Sequence, residues 1–218
     1  MDLSEIPAYF IREVKEWHAL AGNERNAYQL SRLLGIRIRP GARNSVIPGP
    51  PATVILEPHL LGNLDSDFVR HEVAHVLMWW SGVEDMLIAE HGSFELARPQ
   101  IEGLCHAAVG FLRAPQDLVN TALKRYGFTA RAVRFVQVQT GMTPQAALKR
   151  VIYDDPHACR AGFITSGKYI SDVATCNAGL PFWVFDRVPD PTLLFPPEAN
   201  ASFSRLPGGS RLIGVHGA

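Results

Sequence analysis

The sequence predicts an α+β fold that is mostly helical, with a small β-sheet and a short β-rich C-terminal extension. Apolar residues recur at helical spacing through most of residues 4–152. Two short segments, "IRIRP" (36–40) and "ATVILEP" (52–58), are instead typical of β-strands. Beyond "DDP" (154–156) the chain is rich in Gly, Pro, Phe and Val, and charges become sparse. These changes divide the chain into three predicted parts: residues 1–115, 116–156 and 157–218.

The composition excludes several broad classes of protein. Of 218 residues, 47% are hydrophobic and 19% are charged, as in ordinary globular proteins. The 21 Lys and Arg residues balance the 21 Asp and Glu residues, so no overall charge indicates a nucleic-acid partner or a disordered acidic tail. No signal peptide is predicted, and no apolar run approaches the roughly 18 residues of a membrane span. Three widely spaced cysteines are typical of reduced thiols, so we expect a cytoplasmic protein.

The first part of the chain begins with two predicted helices, followed by the two strands. "SEIPAYFIREVKEWHAL" and "NERNAYQLSRLLG" each place apolar residues along one face, and the second ends at a glycine. The segment "GARNSVIPGPP" lies between the strands and is interpreted as a loop or hairpin connection, because it is rich in Gly and Pro.

Two further helices are predicted in this part. Asp65 and Ser66 are the N-cap candidates for a helix over residues 67–80. Residues 83–97 are predicted as a mobile or partly helical connection. A strong helix then runs from Pro99, in its first turn, to about Leu112.

The rest of the chain is predicted to change from helices to strands. "PQDLVNTALKRYG", "TARAVRFVQVQTG" and "TPQAALKRVIY" are short helices joined by Gly-containing turns, as in a helix-turn-helix arrangement. In the C-terminal part, "GKYISDV" and "PFWVFDR" have the composition of strands.

Three titratable residues, His71, Glu72 and His75, interrupt the otherwise apolar helix 67–80. His71 and His75 are four residues apart, so they lie on one face and can both bind one tetrahedral zinc ion. Glu72 points about 100° away round the helix, where it can take a proton from the water that the metal activates. This is the HExxH arrangement of zinc metallopeptidases, and it explains three buried polar groups at once.

A catalytic zinc site needs a third protein ligand, and its position decides the class of enzyme. The extended motif HExxHxxGxxH is excluded, because Met78 and Ser81 replace its glycine and its third histidine. The remaining candidates are Glu84, Glu90, His91, Glu95, Glu102 and His106. Glu102 and His106 lie four apart on the predicted second strong helix, so they share one face. We favour Glu102 as the ligand and His106 as a supporting group or alternative ligand.

"FVRHEVAHVLMW" followed by "IEGLCHAAVGFLRAP" resembles the ImmA/IrrE family of metallopeptidases. The resemblance extends over about residues 5–152 and implies a compact, mostly helical zincin-like domain. It also implies that His71, His75 and Glu102 bind zinc and that Glu72 is the general base. Members of this family cleave helix-turn-helix repressors, so the resemblance implies a similar protein substrate.

The chain departs from the family pattern at two places. Cys105-His106 stands where Ala-Asn is usual, and "FLRAP" stands where "LLMP" is usual, although Pro115 matches the closing proline. A histidine in place of asparagine could support a ligand, stabilise an oxyanion or bind the metal itself. The role of His106 therefore stays open at this point.

Residues 120–151 carry six cations and no acidic residue. The cations are Lys124, Arg125, Arg131, Arg134, Lys149 and Arg150. They form either a solvated face of small helices or a docking surface for an acidic partner or for DNA. The docking candidates are Lys124, Arg125, Arg131 and Arg134.

These observations lead us to expect a zinc-dependent endopeptidase that cleaves a helix-turn-helix repressor, with no membrane partner. The peptide would add as an extended strand beside one of the predicted strands. Two alternatives remain. One is a non-catalytic module that binds a regulator or DNA and has a structural metal site, which a closed set of four ligands would favour. The other is a zinc-dependent amide hydrolase acting on small molecules, which a deep closed pocket would favour.

Overall fold

The structure, a computed structural model, describes residues 5–63, 65–196 and 198–217. The predicted α+β class is confirmed, because these residues form eight α-helices and two separate β-sheets. The chain divides into two compact units, Met1–Gln116 and Asp117–Ala218. The finer division into three parts at residues 115 and 156 stays a prediction.

The first unit is built mainly from helices. They are α1 (Ile6–Leu20), α2 (Ala27–Leu33), α3 (Asp67–Trp80), α4 (Val83–His91) and α5 (Phe94–Arg113). α1 buries Ile6, Phe10 and Val14, the residues that helical spacing places on one face. α3 packs against α5, and α1 packs against both. The core of this unit therefore surrounds the α3–α5 pair.

A three-stranded sheet completes the first unit. Its strands are β1 (Arg37–Pro40), β2 (Ser45–Ile47) and β3 (Thr53–Leu56), in the order β1-β3-β2. β1 is parallel to β3, whereas β2 is antiparallel to it. The central strand alternates, with Val54 and Leu56 fully buried. Both β2 and β3 pack against α3, so the sheet supports the helix that carries the HExxH motif.

The second unit combines three helices with a four-stranded antiparallel sheet. The helices are α6 (Gln116–Tyr126), α7 (Ala130–Thr140) and α8 (Pro144–Ile152). The strands are β4 (Arg160–Ser166), β5 (Tyr169–Cys176), β6 (Ala201–Arg205) and β7 (Leu212–Gly217), in the order β5-β4-β7-β6. α8 packs on β4, where a Cβ on Gly162 would lie 2.6 Å from Leu148 Cδ1. This close approach of helix and strand requires a glycine.

Two predicted connections of the first unit contain regular structure. The Gly- and Pro-rich segment between the predicted strands holds β2. Residues 83–97, predicted as a mobile or partly helical connection, form α4 and the start of α5. α5 begins at Phe94 because the Ser93 side chain caps it by accepting a hydrogen bond from Leu96 N–H. Pro99 therefore lies inside the helix rather than in its first turn.

The prediction of a strand at "PFWVFDR" (181–187) is wrong. This segment forms a turn, and its only ladder contact within the described residues is an isolated bridge between Tyr169 and Arg187. The strand was predicted because aromatic residues generally favour strands. Trp183 and Phe185 instead point to solvent from a turn. Among the described residues, no helix combines the length and apolar character needed to cross a membrane.

Candidate metal centre

α3 positions the first two candidate ligands. Ser66 caps this helix by accepting a hydrogen bond from Val69 N–H at 3.3 Å, so the predicted start of the helix and one of its two cap candidates are confirmed. Val73, Val76 and Leu77 are fully buried and fix the helix in the core. His71 and His75 lie on its half-buried side, and their rings are 4.8 Å apart between centroids.

α5 brings a third candidate ligand to the same point. Glu102 Oε2 lies 3.2 Å from His71 Nε2 and 3.7 Å from His75 Nε2. The two imidazole Nε2 atoms are 3.2 Å apart. Ligand atoms held about 2.1 Å from a tetrahedral zinc ion are roughly 3.4 Å from one another. Two nitrogen atoms and one carboxylate oxygen thus lie at a spacing that could hold a metal ion.

His106 supplies a possible fourth ligand atom. It lies one turn after Glu102 on α5, and its side chain is exposed. Ligand atoms of His71, Glu102 and His106 all lie within 4.8 Å of one another. This set is looser than the set containing His75, whose three atoms lie within 3.7 Å. The His75 set therefore fits the ligand spacing of zinc more closely, and His106 must move to join it.

Burial favours the neutral form of the two α3 histidines, because it lowers the pKa of both imidazoles. Burial, followed by the nearby His106, lowers the pKa of His71, although Glu102 acts in the opposite direction. Burial and His71 lower the pKa of His75 in the same way. The His106 ring packs on the His71 ring at 4.3 Å between centroids. His71 Nδ1 is buried and has no hydrogen-bond partner among the described residues, so ring packing and the Nε2 contacts orient this imidazole.

Glu72 follows His71 on α3, and its carboxyl group has a raised pKa. Its side chain is half-buried, and no hydrogen bond or ion pair ties it to another described residue. Burial, followed by the negative charge of Glu102, raises the pKa of Glu72 to about 7. A carboxyl group with a pKa near neutrality can both accept and release a proton at physiological pH.

A network of ion pairs links the two helices that carry the site. Arg70 is 1% exposed, and its guanidinium donates hydrogen bonds to Asp65, to Asp67 and to the Arg25 carbonyl. Arg113 on α5 donates to the second oxygen of each carboxylate, at 2.8 Å for Asp65 and 2.7 Å for Asp67. This network was not predicted, because its partners are up to 48 residues apart in sequence. It fixes the start of α3 against the end of α5.

The other candidate third ligands lie elsewhere on α4 and α5. Glu84 is in the first turn of α4, and Glu90 is exposed near its end. His91 Nε2 is 2.8 Å from Gln100 Oε1, and Glu95 is exposed in the first turn of α5. Among the described residues, none of these four belongs to a cluster of side chains that could hold a metal ion. Cys105 is fully buried and burial raises the pKa of its thiol, so it is a core residue rather than a ligand.

The cations of the helical segment do not form one continuous docking surface. Arg150 is buried and bonds to Asp154 at 2.7 Å, and Lys149 lies 3.5 Å from Asp172. Arg134 donates hydrogen bonds to Ser204 Oγ and to the Arg205 carbonyl. Of the four docking candidates, this leaves three exposed: Lys124, Arg125 and Arg131.

Comparison of the chain with models of known protein families and with curated proteins gives no match.

Proposed function

We propose that this chain is a zinc-dependent endopeptidase acting in the cytoplasm. The observation that carries the proposal is the convergence of His71, His75 and Glu102 at the spacing of zinc ligands. Glu72 stands beside them and is not needed as a ligand. The proposed substrate, a helix-turn-helix transcriptional repressor, rests on the resemblance of α3 and α5 to the ImmA/IrrE family.

Each residue of the centre has a distinct role in the proposed reaction. When bound, zinc supplies a Lewis acid that polarises the scissile carbonyl and lowers the pKa of a nearby water. His71, His75 and Glu102 would hold the ion with two neutral nitrogens and one carboxylate oxygen. Glu72 accepts the proton of the attacking water and then returns it to the leaving amine. A carboxylate suits both steps, because the group must change its protonation state twice in each cycle.

The sheet of the first unit offers a place for an extended substrate. β2 is an edge strand of the described sheet and packs against α3. Val46 of β2 is half-buried, whereas Ser45 and Ile47 are exposed on either side of it. A peptide that pairs with β2 would be held by backbone hydrogen bonds, which fix its direction without requiring a particular sequence. This arrangement supports a protein substrate over a small molecule.

A second candidate function is a non-catalytic module with a structural metal site. The observation that favours it is His106, whose ligand atom lies within 4.8 Å of those of His71 and Glu102. If His106 became a fourth protein ligand, the coordination shell would be closed to water, as in structural zinc sites. The chain would then bind a regulator without cleaving it.

The substitution Glu72→Gln separates the two functions. Glutamine keeps the size and reach of the side chain but cannot accept the proton of the attacking water. We expect the zinc content to stay at that of the wild type and cleavage to fall by about 10²–10⁴-fold. The measurement is incubation with a candidate helix-turn-helix repressor, followed by mass analysis of fragments.

The control for this experiment is Glu90→Gln, which removes an exposed carboxylate from α4. It should cleave at the rate of the wild type. Cleavage by Glu72→Gln at the same rate would remove Glu72 from the mechanism. If the wild type binds the repressor and never cuts it, the non-catalytic module is the correct function.

A further inference from the structure

The two units of this electrically neutral chain carry opposite charges. The unit Asp117–Ala218 contains eleven Lys and Arg residues and seven Asp and Glu residues, which gives a net charge of +4. The unit Met1–Gln116 contains ten Lys and Arg residues and fourteen Asp and Glu residues, which gives a net charge of −4. A positive unit of about one hundred residues attracts polyanions at a distance. The composition of the whole chain conceals this property.

Three aromatic side chains point to solvent beside one edge of the four-stranded sheet. Tyr169, Trp183 and Phe185 are 53%, 61% and 83% exposed. The turn that carries the latter two is fixed to β5, because Phe185 N–H donates to the Ile170 carbonyl and Ile170 N–H donates to the Asp186 carbonyl. The exposed rings therefore belong to an ordered surface. Large exposed apolar groups on such a surface indicate a binding function.

The backbone at Phe185 is held in a conformation that directs its ring outward. Phe185 has a φ of 74°, in the left-handed region that a residue with a Cβ enters only at a cost in free energy. Asp186 stabilises the turn, since its Oδ2 accepts a hydrogen bond from Trp183 N–H at 2.6 Å. The exposed ring is unfavourable for the free protein, and a bound partner would cover it.

Two cations flank these rings. Arg187 pairs with Tyr169 in an antiparallel bridge, so the two side chains share one face. Lys168 is adjacent, because its carbonyl accepts a hydrogen bond from Val188 N–H. Both cations are exposed, and neither forms an ion pair with a carboxylate in the part of the chain that the structure describes. We name Lys168, Tyr169, Trp183, Phe185 and Arg187 the aromatic–basic face.

Further positive charge lies next to this face. Gly167 N–H donates to the Ser210 carbonyl at 2.8 Å, which brings the turn between β6 and β7 against the turn before β5. Arg205 and Arg211 lie at the two sides of the β6–β7 turn. No acidic residue occurs between residues 199 and 218. The positive charge therefore continues across the neighbouring turn.

We propose that the aromatic–basic face binds single-stranded nucleic acid. Unpaired bases stack on exposed aromatic rings, and the phosphates contact adjacent cations, which is the usual combination in proteins that bind single strands. The bases of a duplex are already stacked on one another, so they cannot use the rings in this way. A purely apolar protein partner would leave Lys168 and Arg187 without counter-charges. The proposal is independent of the metal centre.

The test uses the full-length chain and a fluorescein-labelled oligodeoxythymidine of about 16 nucleotides. Binding is followed by fluorescence anisotropy. We expect a dissociation constant in the range of about 10⁻⁶–10⁻⁴ M, with binding weakened between about 50 and 200 mM salt. The double variant Trp183→Ala/Phe185→Ala should bind at least about tenfold more weakly. The single variant Trp183→Tyr, which keeps an aromatic ring and leaves Phe185 in place, should retain most of the wild-type affinity.

Charge and position are controlled separately. Lys168→Ala/Arg187→Ala should weaken binding and reduce its salt dependence. Lys124→Ala/Arg131→Ala removes two exposed docking candidates and so tests the competing site on α6 and α7, whereas the matched control Tyr153→Ala removes another exposed aromatic ring. Both should bind as the wild type does. Thermal unfolding of every variant verifies that the fold is intact.

Three results would overturn the proposal. The first is absence of binding by the wild type at low salt, which would leave a protein as the partner of this face. The second is undiminished binding by Trp183→Ala/Phe185→Ala. The third is tighter binding of a duplex than of a single strand of the same length, together with weaker binding by Lys124→Ala/Arg131→Ala. That result would place the nucleic-acid site on α6 and α7.

Discussion

Asp67 in the first turn of α3 and Arg113 in the last turn of α5 are joined by a hydrogen bond of 2.7 Å. Arg113 also binds Asp65, and both carboxylates bind the buried Arg70. The two helices joined in this way carry the candidate zinc ligands. The spacing of the candidate ligand atoms from the two helices therefore depends on residues outside the candidate site.

We expect Arg113→Ala to weaken zinc binding by about 10- to 100-fold, the effect typical of residues that position ligands. It should also lower the free energy of unfolding by about 1–3 kcal/mol, because hydrogen bonds to charged groups are lost. Zinc affinity is measured by competition with a coloured chelator, and stability by urea unfolding. Arg98→Ala, an exposed arginine on the same helix, is the control and should change neither. Normal zinc affinity in Arg113→Ala would show that the network is only structural.

The identity of the third ligand can be tested with substitutions on α5. We expect the wild type to bind about one zinc ion per chain. Glu102→Ala and His75→Ala should lose this ion under dialysis, whereas His106→Ala should retain it, because the His75 set has the closer spacing. Metal content is measured by atomic emission. Loss of zinc from His106→Ala, with retention in His75→Ala, would reverse the assignment.

Glu84 provides a pH-dependent prediction away from the metal centre. Burial, with the nearby charge of Asp85, raises the pKa of Glu84 above its usual value of 4.5. Above pH 4.5 the unfolded chain loses this proton before the folded chain does, so the contribution of Glu84 to stability declines as pH rises through that range. Glu84→Gln should therefore be more stable than the wild type at neutral pH and similar to it below pH 4.5.

Urea unfolding at both pH values measures this difference. Glu90→Gln, at an exposed position on the same helix, serves as the control and should follow the wild type at each pH. A Glu84→Gln variant that is less stable at neutral pH would contradict the sign of the effect.

Gly214 should be intolerant of a side chain. A Cβ at this position of β7 would lie 2.3 Å from two atoms of the Phe163 ring. Phe163 is fully buried among other aromatic rings and has little space to move. We expect Gly214→Ala to lower the free energy of unfolding by about 1–3 kcal/mol. Gly179→Ala is the control and should have little effect on stability, because no atom lies within 4 Å of the new Cβ. Thermal unfolding of both variants measures the difference.

Local sequence patterns were sufficient to predict the features that lie within a single helix. α3 has its predicted bounds, since a Ser66 cap, a regular apolar stripe and a following glycine all indicate the same helix. The shared face of His71 and His75 follows from their spacing alone. β6 and β7 were not predicted, because β7 is stabilised by pairing with β4, which is distant in the sequence, and β6 is a short edge strand that pairs with β7.

Contacts between distant residues account for the rest of the site. Arg70 is buried in the network with Asp65 and Asp67, whereas arginine side chains are mostly exposed. Its burial depends on α2 and α5, whose positions no local pattern reveals. The outward-facing Trp183 and Phe185 are a similar case, because their strand-like composition does not reveal a turn.

Pro99 divides α5 into two segments that should open independently. It has no N–H group, so the Glu95 carbonyl lacks its helical donor, and residues 94–98 form a short terminal turn. Proline is also a favourable first residue of a helix, so the remainder of α5 can begin there when that turn frays. Amide hydrogen exchange should accordingly be fast before Pro99 and slow from Gly103 onward, because Gly103 N–H is the first donor whose acceptor, the Pro99 carbonyl, lies in the remaining helix. Glu102 would then keep its position even in molecules whose first turn of α5 is open.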